Sequence, residues 1–154
     1  MSIETDIKQK KFRSPFQKLA LNLMYTTKWL EYKQLESFKE YDITPQQYNV
    51  LRILRGQQGN PIKVSDITER MLDKSSNTSR LVDKLLAKNL AKRTSCESDR
   101  RAVDVVITEE GLALLKMLDP FIEDWENRFN IISEEEAEQI SALLDKLREN
   151  ENQA

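Results

Sequence analysis

Apolar residues recur at helical spacing along most of this chain, and two short runs break the rhythm. Phe16, Leu19, Ala20, Leu23, Met24, Leu30, Leu35 and Phe38 predict a long first helix over about 15–39. Tyr48, Leu51 and Leu54 carry a second, 45–55, that stops at Gly56. Ile67 and Met71 mark a third over about 65–72, with Ser65 as its expected cap. Leu81, Val82, Leu85 and Leu86 form the inward stripe of a fourth, 75–88, and Asn89 follows it as a residue that tolerates the left-handed conformation. Leu112, Leu115, Leu118, Phe121, Ile122, Trp125 and Phe129 populate a fifth, 109–129, which Pro120 is expected to kink. Ile140, Leu143, Leu144 and Leu147 give a sixth, 134–149. The two β-prone runs, Leu90–Ser95 and Ala102–Ile107, flank a polar loop and predict a hairpin.

Polar residues punctuate this pattern. Ser14-Pro15-Phe16-Gln17, Thr44-Pro45-Gln46-Gln47 and Ser133-Glu134-Glu135-Glu136 each place a capping hydroxyl three residues before a Gln or Glu that can return the hydrogen bond. Gln57–Ile62 reads as a loop, with Gly59 and Pro61, that ends in a short strand. The predicted fold class is therefore mainly α with a small β-hairpin wing. A basic hairpin directly after a polar-faced helix is the pattern of a winged helix-turn-helix.

Composition narrows the function. The chain has 154 residues and a formal charge of −2, so no global argument favours a polyanion partner. The distribution does: residues 74–101 hold eight basic and three acidic residues, net +5, whereas 102–154 hold four and fourteen, net −10. With no histidine, a Ser-His-Asp triad, a Cys-His dyad and a His-ligated zinc are excluded. The single cysteine, Cys96, excludes an intrachain disulfide and thiolate clusters, and fits a reducing compartment. No cofactor, metal site or enzymatic activity is expected. No apolar run approaches the ~20 residues of a membrane span. The N-terminus lacks the apolar core of a secretory signal, so a cytoplasmic location is expected.

The third and fourth helices, joined by Leu72-Asp73-Lys74, form a helix-turn-helix whose second member presents Ser75, Ser76, Asn77, Ser79, Arg80, Asp83, Lys84 and Lys88 to solvent. The first turns of such a helix enter the major groove of double-stranded DNA. Asn77 and the serines are short enough for base edges or phosphates; Arg80 suits a bidentate contact to guanine. Lys84 and Lys88 suit the backbone, where they add affinity without sequence choice. In the hairpin loop, Arg100 and Arg101 form a basic tip, with Asp99 placed to orient the Arg101 guanidinium.

Asp99, Arg101, Val105, Ile107, Thr108 and Gly111 stand in the order Asp-x-Arg-x-x-x-Val-x-(Leu/Ile)-Thr-x-x-Gly, which resembles the wing signature of the MarR family of bacterial transcription regulators. Ser79-Arg80-Leu81-Val82-Asp83-Lys84-Leu85 resembles that family's recognition helix. The resemblance implies one MarR-type domain over 1–154, with a winged-helix lobe over about 41–108 and dimerisation helices over about 14–39 and 109–150. It also implies that each wing enters a minor groove, with Arg101 at the tip and Asp99 as its partner. Asn89 replaces the glycine usual after the recognition helix, and Thr68 stands where alanine is usual at the helix crossing.

The terminal helices carry more apolar surface than one small lobe hides, which predicts a homodimer on a pseudo-palindromic operator with half-sites roughly 34–36 Å apart. The function expected is a homodimeric repressor released by a small-molecule effector. The resemblance implies a small aromatic or anionic effector, and Tyr25, Trp29, Tyr32 and Tyr48 are the aromatics suited to line its pocket. Cys96, with Arg93 and Arg100 near it, invites a redox reading, but the family's redox sensors carry their cysteine near the first helix and none is there. The alternative is a helical protein-interaction or scaffold module with an incidental ribbon.

Overall fold

The computed structural model describes residues 2–95 and 103–149 and divides the chain into two compact units, Met1–Thr108 and Glu109–Ala154. The first unit contains α1 (Ile3–Asp6), α2 (Pro15–Phe38), a 3-10 turn (Lys39–Tyr41), α3 (Pro45–Gly56), β1 (Ile62–Lys63), α4 (Val64–Arg70), α5 (Thr78–Ala87), β2 (Ala91–Ser95) and β3 (Val103–Ile107). The second contains α6 (Glu109–Asn127) and α7 (Glu134–Glu149). The short α1 was not foreseen; Ile3 is buried, and the Lys18 ammonium bonds Glu4 Oε1 at 2.5 Å.

All three hydroxyls cap their helices, and the reciprocal box closes at Thr44 and Ser133, whereas at Ser14 the returned bond goes to the preceding residue. Gln17 N donates to Ser14 Oγ at 3.1 Å, while Gln17 Oε1 accepts from Arg13 N. Thr44 and Gln47 exchange bonds of 3.2 and 3.0 Å, and Ser133 and Glu136 bonds of 3.2 and 2.8 Å. Each such cap stabilises its helix by about 1 kcal/mol. Ser65, by contrast, is not a cap. Pairing of Ile62 with Val105 and Lys63 with Asp104 keeps Lys63 extended, so α4 starts directly at Val64 with Lys63 at the cap position. Ser65 Oγ donates instead to Asp66 Oδ1.

The fourth helix is shorter than its apolar stripe implies, beginning at Thr78 with Asn77 as its cap. The connection between α4 and α5 accordingly runs over 71–77. Met71 leaves α4 in an extended conformation with its side chain buried. Leu72 N then donates to Asn49 Oδ1 on α3, which fixes the start of the turn. Thr68 is exposed, and its hydroxyl bonds Val64 O at 2.9 Å within α4.

The strands form an antiparallel sheet in the order β1-β3-β2, with Arg93 opposite Val105 and Thr94 opposite Asp104. Val105 faces the core with Val50, Leu51 and Leu54 of α3, Ile67 of α4, and Val82 and Leu85 of α5, all essentially inaccessible. Each large side chain buried this way contributes about 1.5–3 kcal/mol. Asn89 is left-handed, φ 62°, and turns the chain from α5 into β2. Thr108 closes that corner by donating its hydroxyl to Asn89 O and its N–H to Leu90 O. In the second unit, α6 continues through Pro120 and buries Leu115, Leu118 and Trp125, whereas α7 has no buried side chain.

Candidate nucleic-acid interface

The turn before α5 is organised by one carboxylate. Asp73 Oδ1 accepts from Ser75 N at 2.9 Å and from Ser75 Oγ at 2.6 Å. Hydrogen bonds from the Ser75 and Ser76 side chains, the Ser75 backbone and Gln46 hold Asp73 below the usual aspartate range. This is the Asx-turn habit of Asp-x-Ser, and its spacing was readable in the sequence. Lys74 caps the other side by donating to Glu69 O near the end of α4. Ser75 and Ser76 therefore shape the approach to the helix, and Asn77 Oδ1 accepts from Arg80 N as the cap.

From that cap, α5 turns Thr78, Val82 and Leu85 inward and leaves Ser79, Arg80, Asp83 and Lys84 exposed. Among the described residues, no carboxylate pairs with Arg80 or Lys84. Two exposed cations, Arg80 in the first turn of α5 and Lys84 in the last, beside short hydroxyl and amide groups suit a polyanion carrying hydrogen-bonding edges. Lys88 does not share this role. Its ammonium is taken by the Asp42 carbonyl and by Asp42 Oδ2, the latter at 2.9 Å, so it ties the end of α5 to the turn after α2.

The wing rises from this base. Lys92 is exposed on β2, while Arg93 Nη2 reaches back to Asp83 Oδ1 at 2.6 Å. The sequence places Asp83 on the solvent face of the helix but gives no sign of its pairing with Arg93. Their spacing of ten, across a helix, a left-handed corner and a strand, is not a periodicity that sequence reading detects. Asp99, Arg100, Arg101 and Cys96 lie outside the described residues.

The four aromatics proposed for an effector do not converge. Tyr48 is buried against Phe38, ring centroids 4.9 Å apart, with the Arg52 guanidinium 6.0 Å from its ring. It lines a 740 Å³ groove with Leu35, Phe38, Met71, Leu72 and Asp73. Tyr25 and Trp29 border a separate 290 Å³ recess with Asp6 and Thr26. Tyr32 belongs to neither and is exposed; its hydrogen bond with Glu36 raises the phenol and lowers the carboxyl.

Two helices joined by a structured turn, with an antiparallel ribbon directly after the second, define a winged helix-turn-helix lobe. A family model described as the MarR family matches residues 41–102, which covers α3 to β2 and ends just before β3. The chain is 31% identical over 114 residues to the HTH-type transcriptional regulator PecS of Dickeya dadantii, covering 71% of this chain and 68% of PecS. It is 37% identical over 93 residues to the HTH-type transcriptional repressor MdtR of Bacillus subtilis, 60% of this chain but only 59% of MdtR. The crystal structure of an S. aureus MepR–DNA complex shares the fold, with a TM-score of 0.77 at 23% identity over 86% of this chain and 96% of that one. The chain belongs to the MarR family.

Proposed function

We propose that this protein is a sequence-specific DNA-binding transcription regulator that acts in the cytoplasm as a homodimeric repressor, not as an enzyme. The observation that carries the reading is the outward face of α5. Arg80 and Lys84 stand there without carboxylate partners among the described residues, on a helix whose approach is shaped by Asp73 and whose first turn is capped by Asn77. The names of MdtR and PecS and the DNA-bound state of MepR support the same activity. Arg100 and Arg101 are proposed to extend the contact into a neighbouring groove, with Asp99 orienting Arg101.

The homodimer is supported by apolar side chains that α2 leaves outside, including Phe16, Leu19, Met24 and Leu35. Release by a small aromatic or anionic effector is supported by the groove at Tyr48. A ligand there meets Leu72 and Asp73, the residues that set the start of α5, and the Arg52 cation is at hand for an anion. No described helix is long and apolar enough to cross a membrane.

A fluorescence-anisotropy titration with the gene's own upstream region and with a shuffled duplex tests this. A regulator prefers the former, and its affinity falls steeply with salt. Equal, weak binding to both would leave the interaction-module reading in its place.

A further inference from the structure

We infer that Asp83 and Arg93 form a specificity-determining strut, which sets the angle between the recognition helix and the wing without either residue reading DNA. The inference rests on the DNA-binding reading proposed above. Asp83 sits on the face of α5 that carries Arg80 and Lys84, and all three are exposed. A free carboxylate there would repel phosphates of every sequence, so its presence needs an explanation. Arg93 supplies one: its guanidinium lies 2.6 Å from Asp83 Oδ1, spanning from β2 to α5.

The geometry is that of a triangle. One corner is the tight link from α5 to β2, fixed by Leu90 N on Leu85 O, Asn89 N on Leu86 O and the Thr108 hydroxyl on Asn89 O. One side is α5 up to Asp83, and the other is β2 up to Arg93, held in register opposite Val105. The ion pair closes the third side. With side chains 58% and 55% exposed, the pair is screened and contributes little to folding, so its consequence is alignment. A helix in one groove and a wing in the next must engage together, and an aligned pair loses less freedom on doing so. The same contact keeps Arg93 from gripping phosphates indiscriminately.

The test measures full-length wild type, Asp83→Asn, Arg93→Gln and the double variant on a duplex selected from a random pool and on a random duplex, across salt. Each single substitution should lower the preference for the selected duplex about fivefold or more. The double variant should fall no further than the worse single one, because both remove one interaction. Asp83→Asn should also steepen the salt slope by about 0.9 as the released Arg93 takes a phosphate. Thermal midpoints should stay close to wild type, and Arg93→Lys, which keeps an ion pair, should retain most of the preference. Unchanged preference in both single variants, losses that multiply in the double, or unfolding of Asp83→Asn would each overturn the strut. A wild type that binds both duplexes alike would instead overturn the DNA-binding reading on which the strut depends.

Discussion

α5 and α2 dispose of their apolar residues in opposite ways. α5 turns Val82 and Leu85 fully into its own lobe and shows solvent a polar, cationic side. α2 is more than twice as long, yet Phe38 is the only one of its described side chains that is buried; Phe16 is 82% and Met24 66% exposed. A helix anchored by its apolar stripe is a rigid platform whose other face is free for recognition. A helix that leaves such residues outside has apolar surface still to cover, and a second copy of the chain is the cover proposed here.

The sharpest way to break this contrast is to truncate both sides. Leu85→Ala should cost about 2–5 kcal/mol in urea unfolding, the range for a sealed core leucine. Leu19→Ala, at a position 45% exposed, should cost far less at dilutions where the protein is monomeric. If the two were equal, α2 would be anchored in its own lobe after all. The next largest effect concerns the covering copy. Phe16→Glu combined with Met24→Glu should weaken self-association by about 2 kcal/mol or more, read by sedimentation, while the circular dichroism stays unchanged.

On the recognition side, Arg80→Ala should cost about 1–3 kcal/mol on the selected operator and relax the choice of base. Lys84→Ala should weaken all duplexes alike and reduce the salt slope by about 0.9. Identical behaviour of the two variants would remove the division between reading and gripping. The smallest effect lies at the N-terminus. The hydrogen bond from Lys18, then those from its own backbone and from Ser2, pulls Glu4 down from 4.5 to about 2. A lowered carboxyl stabilises the folded form above its ordinary value and loses that contribution as pH falls through the folded one. Protection of α1 amides should therefore decline between pH 4.5 and 2 in wild type, and Glu4→Gln should remove that dependence.

Much of the fold was legible because helix boundaries here are set by local chemistry. Ser14, Thr44 and Ser133 cap where their partners three residues on require, and Asn89 adopts the conformation its side chain tolerates. What differed had two origins. Ser65 lost its capping role through a tertiary contact, since strand pairing placed Lys63 at the helix start, whereas α5 lost a turn to a local one, the Asp73 carboxylate recruiting Ser75 and Ser76. The candidate site followed the same division. Arg80 and Lys84 were visible as the polar side of a periodic stripe. The engagement of Lys88 by Asp42 and of Arg93 by Asp83 was not, since residues 46 and 10 apart meet only once the chain is folded.

The outward face of α5 is proposed as the surface that meets DNA. Hydrogen exchange on the free protein and on its complex with the selected duplex tests it directly. New protection is expected in peptides spanning Ser75–Ala87, with α7 unchanged. Saturated DNA binding that leaves Ser75–Ala87 exchanging as in the free protein, with protection confined to other helices, would contradict it.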